Sequence, residues 1–351
     1  MNRRELLSAA GAASAFLALR PAFADMPEGK GRLGGSPTCF AVRMRSVPRA
    51  DRAMAIIEHC HQLGLTGAES FLTSTDPEAV KAMRQKVEAY NMLIVLNTRL
   101  PKEESDVSSF DAAVAACKEA GAIALHAAMT QRRYEQFDSF EEFKTNFAQC
   151  QRTIALAEPV LRKHKMRLAI ENHKGWRASE QAAWMKRLGS EWVGVCFDFG
   201  NNISLCETPR ETFELLSPYA IFCHLKDMGV EEYQDGFLLS EVPLGEGVID
   251  LKRRVEILRA KDPNMLFCLE MITRDPLKIP VFTDKYWATF SDPSTEIPGR
   301  DVAMTWGLVH RNPPKEPLPQ ISKLAPAGQL QAEDQYNRRC IDYARANLNF
   351  S

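Results

Sequence analysis

Val193-Gly194-Val195-Cys196-Phe197-Asp198-Phe199-Gly200-Asn201 is an apolar run that ends on a carboxylate. A short continuous run of this kind, rather than strict alternation, suits a parallel strand buried on both faces. Three more segments share the design: Arg167–His173 (RLAIENH) ends on Glu171, Ala220–Asp227 (AIFCHLKD) on His224, and Leu266–Met271 (LFCLEM) on Glu270. The four terminal residues lie 27, 26 and 46 positions apart, the spacing of successive strand–helix units with one insertion. A closed parallel barrel aims the C-terminal ends of its strands at one place, so residues distant in sequence converge there. Three carboxylates and an imidazole form a hard, oxygen-rich donor set, suited to one divalent metal ion (Mn, Mg, Co or Zn) and unlike the thiolate set of structural zinc.

Working outward, the same alternation runs through the first half. Cys39–Arg43 reads as strand one, Arg49–Leu63 as a helix, and Gly64–Glu69 as a helix stop followed by a strand. A helix over Pro77–Tyr90 carries proline near its start, where the missing N–H is harmless. Met92–Leu96 and Ala122–His126 read as strands, with helices over Phe110–Ala120 and about Phe140–His164. The second half supplies strands near 166–171, 193–198, 220–225 and 266–271, with helices over Ser179–Leu188, Thr208–Leu216 and Leu251–Ala260. Eight strands alternating with helices predict an α/β (β/α)8 TIM barrel; an open doubly wound sheet is the alternative. No Gly-x-Gly-x-x-Gly follows a strand, which argues against dinucleotide binding.

The domain plan is a signal segment over 1–24, a linker over 25–37, the barrel over 38–275 and a C-terminal extension over 276–351. Arg3-Arg4, the weakly apolar run Ser8–Leu19 and Ala22-Phe23-Ala24 resemble a twin-arginine export signal, which predicts a periplasmic protein. The apolar run is too short to span a membrane. The extension is proline-rich, reads as loop over 275–327, and ends in a helix over Gln329–Leu348. Lys285–Phe290 brings aromatics that predict either a lid stacking on substrate or a contact in a homo-oligomer. The net charge is −1, with no basic block, which excludes nucleic acid and acidic membrane surfaces as partners. Nine cysteines without repeating spacing read as small core residues, not as a disulfide framework.

Taken in order, Glu171-Asn172-His173, Asp198-Phe199-Gly200-Asn201, His224-Leu225-Lys226-Asp227, Leu244–Asp250 and Glu270 resemble the xylose isomerase-like barrel superfamily, the sugar phosphate isomerases and epimerases. The resemblance covers roughly residues 38–275. It implies that Glu171, Asp198, His224 and Glu270 hold one divalent metal, and that Glu171 and Glu270 exchange a proton with the substrate from opposite sides. It also implies that the substrate is a sugar or a sugar-derived keto compound, isomerised or epimerised through a metal-stabilised enediolate. Departures bear on the substrate. Where ketose 3-epimerases carry a second glutamate, a histidine and an arginine, this chain has Arg177, Asn201 and Val230, which argues against free ketohexoses. The endonuclease branch needs a histidine-rich multi-metal cluster that this chain lacks.

Other candidates for contacting substrate are His173, Lys226, Arg274, Glu69, Asn97 and Asn201. Arg177, Lys226 and Arg274 all follow ligand-bearing strands and predict a positive pocket mouth. Two rival readings use the same pocket. One is an exported lyase or dehydratase acting by β-elimination on a 3-keto sugar or 3-keto-glycoside; the other is a sugar-binding barrel without catalysis.

Overall fold

The computed structural model describes residues 30–351. The export-signal reading of residues 1–24 therefore lies outside the described residues. Eight parallel strands close into a barrel: β1 (Arg32–Gly35), β2 (Gly67–Phe71), β3 (Leu93–Asn97), β4 (Ala122–Ala127), β5 (Leu168–Glu171), β6 (Val193–Asp198), β7 (Ala220–Leu225) and β10 (Leu266–Leu269). Pairing of β1 with both β2 and β10 completes the ring. The open doubly wound alternative is thereby excluded.

Strand one is not Cys39–Arg43, as the sequence suggested. It is Arg32–Gly35, inside the stretch read as linker, and Pro37–Phe40 is a 3-10 turn. The physical reason is close approach. A Cβ on Gly34 would meet the Gly67 backbone at 3.0 Å, and one on Gly35 would meet the Phe40 ring at 2.8 Å. Glycines that look like linker residues are what lets β1 fit between its neighbours. Cys39 then fastens the turn to the barrel mouth, its thiol donating to Leu269 O at 2.8 Å and accepting from Met271 N at 3.2 Å.

Side chains alternate between two buried layers. Leu93, Val95, Ala124, Ala169, Cys196, Phe222, Leu266 and Cys268 fill the barrel interior as an apolar plug. Their neighbours along each strand, such as Ile94, Leu96, Ile170, Val195, Phe197 and Phe267, pack outward in the main core with the helices. The Phe140–His164 helix begins on Ser139, whose hydroxyl accepts from Glu142 N, and ends at Lys165 in the left-handed region (φ 52°). Proline inside it, at position 159, does not break it.

Two departures occur beyond the barrel repeat. The 46-residue gap before Glu270 holds an antiparallel hairpin, β8 (Asp227–Tyr233) with β9 (Gly236–Val242), joined at its edge by β11 (Leu277–Ile279). Asp227 clasps the return loop, accepting from the backbone N–H of Met228, Gly245, Gly247 and Ile249. The extension read as loop contains a helix, Gly299–Arg311, ahead of the terminal helix Pro326–Asn347. The terminal helix docks on the first turn of the barrel, with Glu333 accepting from Val42 N and Arg43 N and with Asn337 Nδ2 donating to Cys39 O. All nine cysteines are free and buried. No helix among the described residues is long and apolar enough to cross a membrane.

Candidate metal centre

Strand register brings the site together. Asp198 pairs with His224 across β6 and β7, and Asn97 pairs with His126 across β3 and β4. Glu171 is the last residue of β5, and Glu270 follows β10 with its N–H still bonded to Leu225 O at 3.0 Å. Oxygen or nitrogen atoms of Glu171, Asp198, His224 and Glu270 all lie within 4.8 Å of one another, and all four residues are buried. The four strand-end residues chosen from sequence therefore form one cluster.

The histidine shows how the cluster is aimed. His224 Nε2 meets Glu69 Oε2 at 2.6 Å; because a carboxylate only accepts, Nε2 carries the proton. Nδ1 is thereby turned inward, 3.5 Å from Glu270 Oε1 and 3.9 Å from Glu171 Oε2, with no hydrogen-bond partner. A carboxylate behind a histidine is the usual way to orient an imidazole toward a metal. Asp198 presents Oδ2 to the same place, 2.8 Å from Lys226 Nζ, while its Oδ1 accepts from Gly200 N and Asn201 N. The orphaned nitrogen, this oxygen and two further carboxylates fit a hard divalent cation.

A second circle of side chains holds the first. Glu69 accepts from Asn97 Nδ2 at 2.7 Å, and Asn97 Oδ1 meets His126 Nδ1 at 2.7 Å. His126 reaches Glu171 Oε2 with its other nitrogen at 3.2 Å. Glu69 and Asn97, read from sequence as contacts for substrate hydroxyls, thus hold the histidines. Asn201 Nδ2 donates to Glu171 Oε1 at 2.8 Å, and Thr38 Oγ1 donates to Glu270 Oε1 at 3.2 Å. Burial alone would lower the histidines, but the carboxylates outweigh it, raising His224 to about 9 and His126 to about 10. Burial works the other way on Glu171, where His173 and His126 prevail and bring it down to about 2.

The cations sort differently from the sequence expectation. Lys226, 1% exposed, lies 2.8 Å from Asp198 Oδ2 and 2.7 Å from Glu270 Oε2, so it points into the cluster and does not pair with Asp227. Arg274 forms a two-point bridge to Glu241 through 2.7 and 3.1 Å contacts. Arg177 turns away from the mouth to Asp301 at 2.6 Å and Glu207 at 3.5 Å. In its place a lysine not singled out from sequence, Lys174, is fully buried and donates to Asn201 Oδ1. Burial, reinforced by Lys226, pushes the Lys174 ammonium down to about 8. His173 is part-buried, has an unpartnered Nδ1 and is held down at about 4 by burial.

Three further residues escaped the sequence reading. His126 obeys the same strand-end rule as the four ligands and was findable by it. Glu241 reaches the site only because the β8–β9 hairpin folds back, and Thr38 only because strand one lies earlier than expected. The aromatics of Lys285–Phe290 do not line the pocket. Tyr286 and Phe290 are buried, Tyr286 OH donates to Ser204 O at 2.9 Å, and Arg133 stacks on Phe290 at 4.0 Å. A cavity of about 540 Å³ opens beside Asn97 and His126, lined also by Arg99, Met129, Asn146 and Gln149. That volume is within the range of small-molecule sites.

A family model described as a xylose isomerase-like TIM barrel matches residues 57–288. A 3-oxo-isoapionate decarboxylase of Pectobacterium atrosepticum is 25% identical over 109 residues, which is 30% of this chain and 40% of that protein. The chain therefore spans well under half of that relative's length in the match. Among solved structures, D-psicose 3-epimerase in the presence of D-fructose superposes with a TM-score of 0.56 at 13% identity, covering 91% of this chain and 99% of that one. A probable 3-DHS dehydratase from Bacillus anthracis gives 0.52 at 13% identity, over 68% of this chain and 92% of that one. At these identities the likeness is one of fold.

Proposed function

This chain belongs to the xylose isomerase-like TIM barrel family, and from that premise we propose a metal-dependent isomerase or epimerase acting on a sugar or sugar-derived keto compound. The observation that carries the reading is the pair of glutamates, Glu171 and Glu270, in one buried cluster with Asp198 and His224. Glu171, Asp198, Glu270 and His224 Nδ1 would hold the ion. A bound divalent ion polarises a carbonyl and so acidifies the neighbouring C–H.

The chain's own groups supply the rest. One glutamate, ionised, takes the proton from the carbon beside the carbonyl, and the other, protonated, delivers its own proton in return, so that the protein passes through a state with the two protonations exchanged. His126 and Asn201 fix the two oxygens of Glu171, and Thr38 and Lys226 fix those of Glu270.

A second reading is supported by the two buried ammonium groups, Lys174 and Lys226, on Asn201 Oδ1. Either is a proton donor for a departing hydroxyl or alkoxide, which would make the protein a lyase or dehydratase on a 3-keto sugar. Incubating the Mn-loaded protein with keto-sugars and 3-keto-glycosides in deuterated water, followed by NMR, separates the cases. Exchange or inversion at the carbon next to the carbonyl supports the isomerase, loss of a β-substituent supports the lyase, and binding without either leaves a sugar-binding barrel. We also read residues 1–24 as an export signal; periplasmic delivery that survives joint replacement of Arg3 and Arg4 by Lys would overturn the twin-arginine route.

A further inference from the structure

Three cations surround the proposed metal centre, and they are not equivalent. Lys226 lies between Asp198 and Glu270, and Arg274 is bridged by Glu241. Lys174, 3% exposed, has no ion pair among the described residues; its ammonium donates to the amide oxygen Asn201 Oδ1. An ammonium carries three N–H donors, so two remain open. The same amide oxygen also accepts from Lys226 at 3.0 Å, which brings the two positive groups to one atom. Beside Lys174 in the chain, His173 Nδ1 is buried without a partner.

A buried ammonium with no carboxylate at contact distance opposes folding, and an apolar or neutral residue would avoid that cost unless an anion is to be received there. Asn201 fixes the location, because its amide nitrogen donates to Glu171 Oε1 at 2.8 Å. One amide, that of Asn201, thus separates the Lys174 ammonium from Glu171.

We propose that Lys174 is the anion-binding residue of this pocket and that the substrate is a keto sugar acid, its carboxylate seated on the Lys174 ammonium. This deepens the proposed function and rests on it only in taking the ligand to be a polyhydroxylated keto compound. A monoanion matches a single open ammonium. A phosphate dianion wants several donors, and the neighbouring cations already have carboxylate partners. The binding involves no covalent step. Lys174 contributes charge and direction, turning the carbonyl toward the cluster of Glu171, Asp198, His224 and Glu270.

The test uses the full, Mn-loaded chain and three probes of similar size: 2-keto-D-gluconate, D-fructose and D-fructose 6-phosphate. Dissociation constants are measured by calorimetry for the wild type, Lys174→Gln and Lys174→Arg, with metal content and melting temperature recorded to show that each variant folds. In the wild type the carboxylate should bind roughly tenfold or more tighter than D-fructose, the value of one charge-assisted hydrogen bond. That preference should vanish in Lys174→Gln and return in part in Lys174→Arg. Equal or absent binding of carboxylate and neutral sugar by the wild type overturns the proposal, as does a preference that persists in Lys174→Gln. Preferential binding of the phosphate would assign the site to phosphorylated sugars and overturn it too. Deuterium exchange is followed in the same samples. Exchange without carboxylate preference sinks the anion site and leaves the isomerase reading; preference without exchange does the reverse.

Discussion

Two layers of one barrel, separated by a residue or two along each strand, have opposite chemistry. The interior plug is wholly apolar, from Leu93 and Val95 through Phe222 to Cys268. The mouth directly above it buries Glu69, His126, Glu171, Asp198, His224, Lys226, Glu241 and Glu270. Phe222 marks the boundary, its ring lying edge-on to both His126 and His224 at 5.6 Å. The plug is the expected product of burial. The mouth concentrates groups whose desolvation opposes folding, and only their mutual pairing makes it tolerable. The lesson is that stability and chemistry occupy separate layers, so substitutions in each should have separable effects.

The largest effect expected is on chemistry. Glu270→Gln keeps an oxygen for an ion but cannot carry a proton, so turnover should fall roughly 10²–10⁴-fold, the range for removing a general acid or base. Metal content by mass spectrometry should stay near one ion per chain. Full turnover in the metal-loaded variant would remove the two-glutamate mechanism.

Phe222→Ala addresses the other layer. Emptying a buried aromatic site costs about 3–5 kcal/mol, read as a lower denaturation midpoint in urea with an unchanged slope. Metal affinity should weaken as well, because the ring walls both histidines. A loss of affinity with no loss of stability would break the separation of layers at its boundary.

Asn97→Ala tests the circle behind the ligands. Asn97 donates to Glu69 and meets His126, so its loss should loosen His224 without removing a ligand. Metal affinity should drop roughly 10–100-fold, as for outer-shell partners elsewhere, while Glu270-dependent proton transfer at saturating metal is retained. An unchanged affinity would show that Glu69 holds His224 unaided.

These layers were unequally legible in the sequence. β5, β6, β7 and β10 announced themselves because both faces of each are buried, giving unbroken apolar runs, and because each ends on a polar residue facing the mouth. The Phe140–His164 helix was legible from its amphipathic pattern, and the structure adds the Ser139 cap at one end and a basic last turn at the other. β1 was hidden by Gly34 and Gly35, whose lack of side chains is a packing requirement and not a sign of flexibility. Lys174 and Glu241 follow no periodic rule; their meaning appears only when the hairpin and the β5 loop are folded together. The aromatics of the extension misled for a related reason: proline density marks turns, but it does not reveal which rings are interred beneath them.

A different kind of effect, on stability against pH, sharpens the comparison by asking whether every buried charge in this barrel belongs to the mouth. Glu207 does not. It is buried among the segments that follow β5 and β6, accepts from Ala178 N at 2.9 and 3.1 Å and from Asn202 Nδ2 at 2.5 Å, and faces Arg177. Burial raises its carboxyl from 4.5 to about 7, against the pull of Arg177 and Asn202. An acid raised on folding favours the protonated native state. Its contribution is thus fully present below about pH 4.5, declines as pH rises through about 7, and is absent above that. Glu207→Gln imitates the protonated form at every pH. Relative to wild type, the variant should therefore gain stability between pH 4.5 and 7.5, on the order of 2–3 kcal/mol, with no change in metal affinity. Urea denaturation of both proteins at half-unit pH steps measures the difference. A difference that stays flat across this window would mean that Arg177 keeps Glu207 ionised throughout, making it a paired structural ion like those at the mouth.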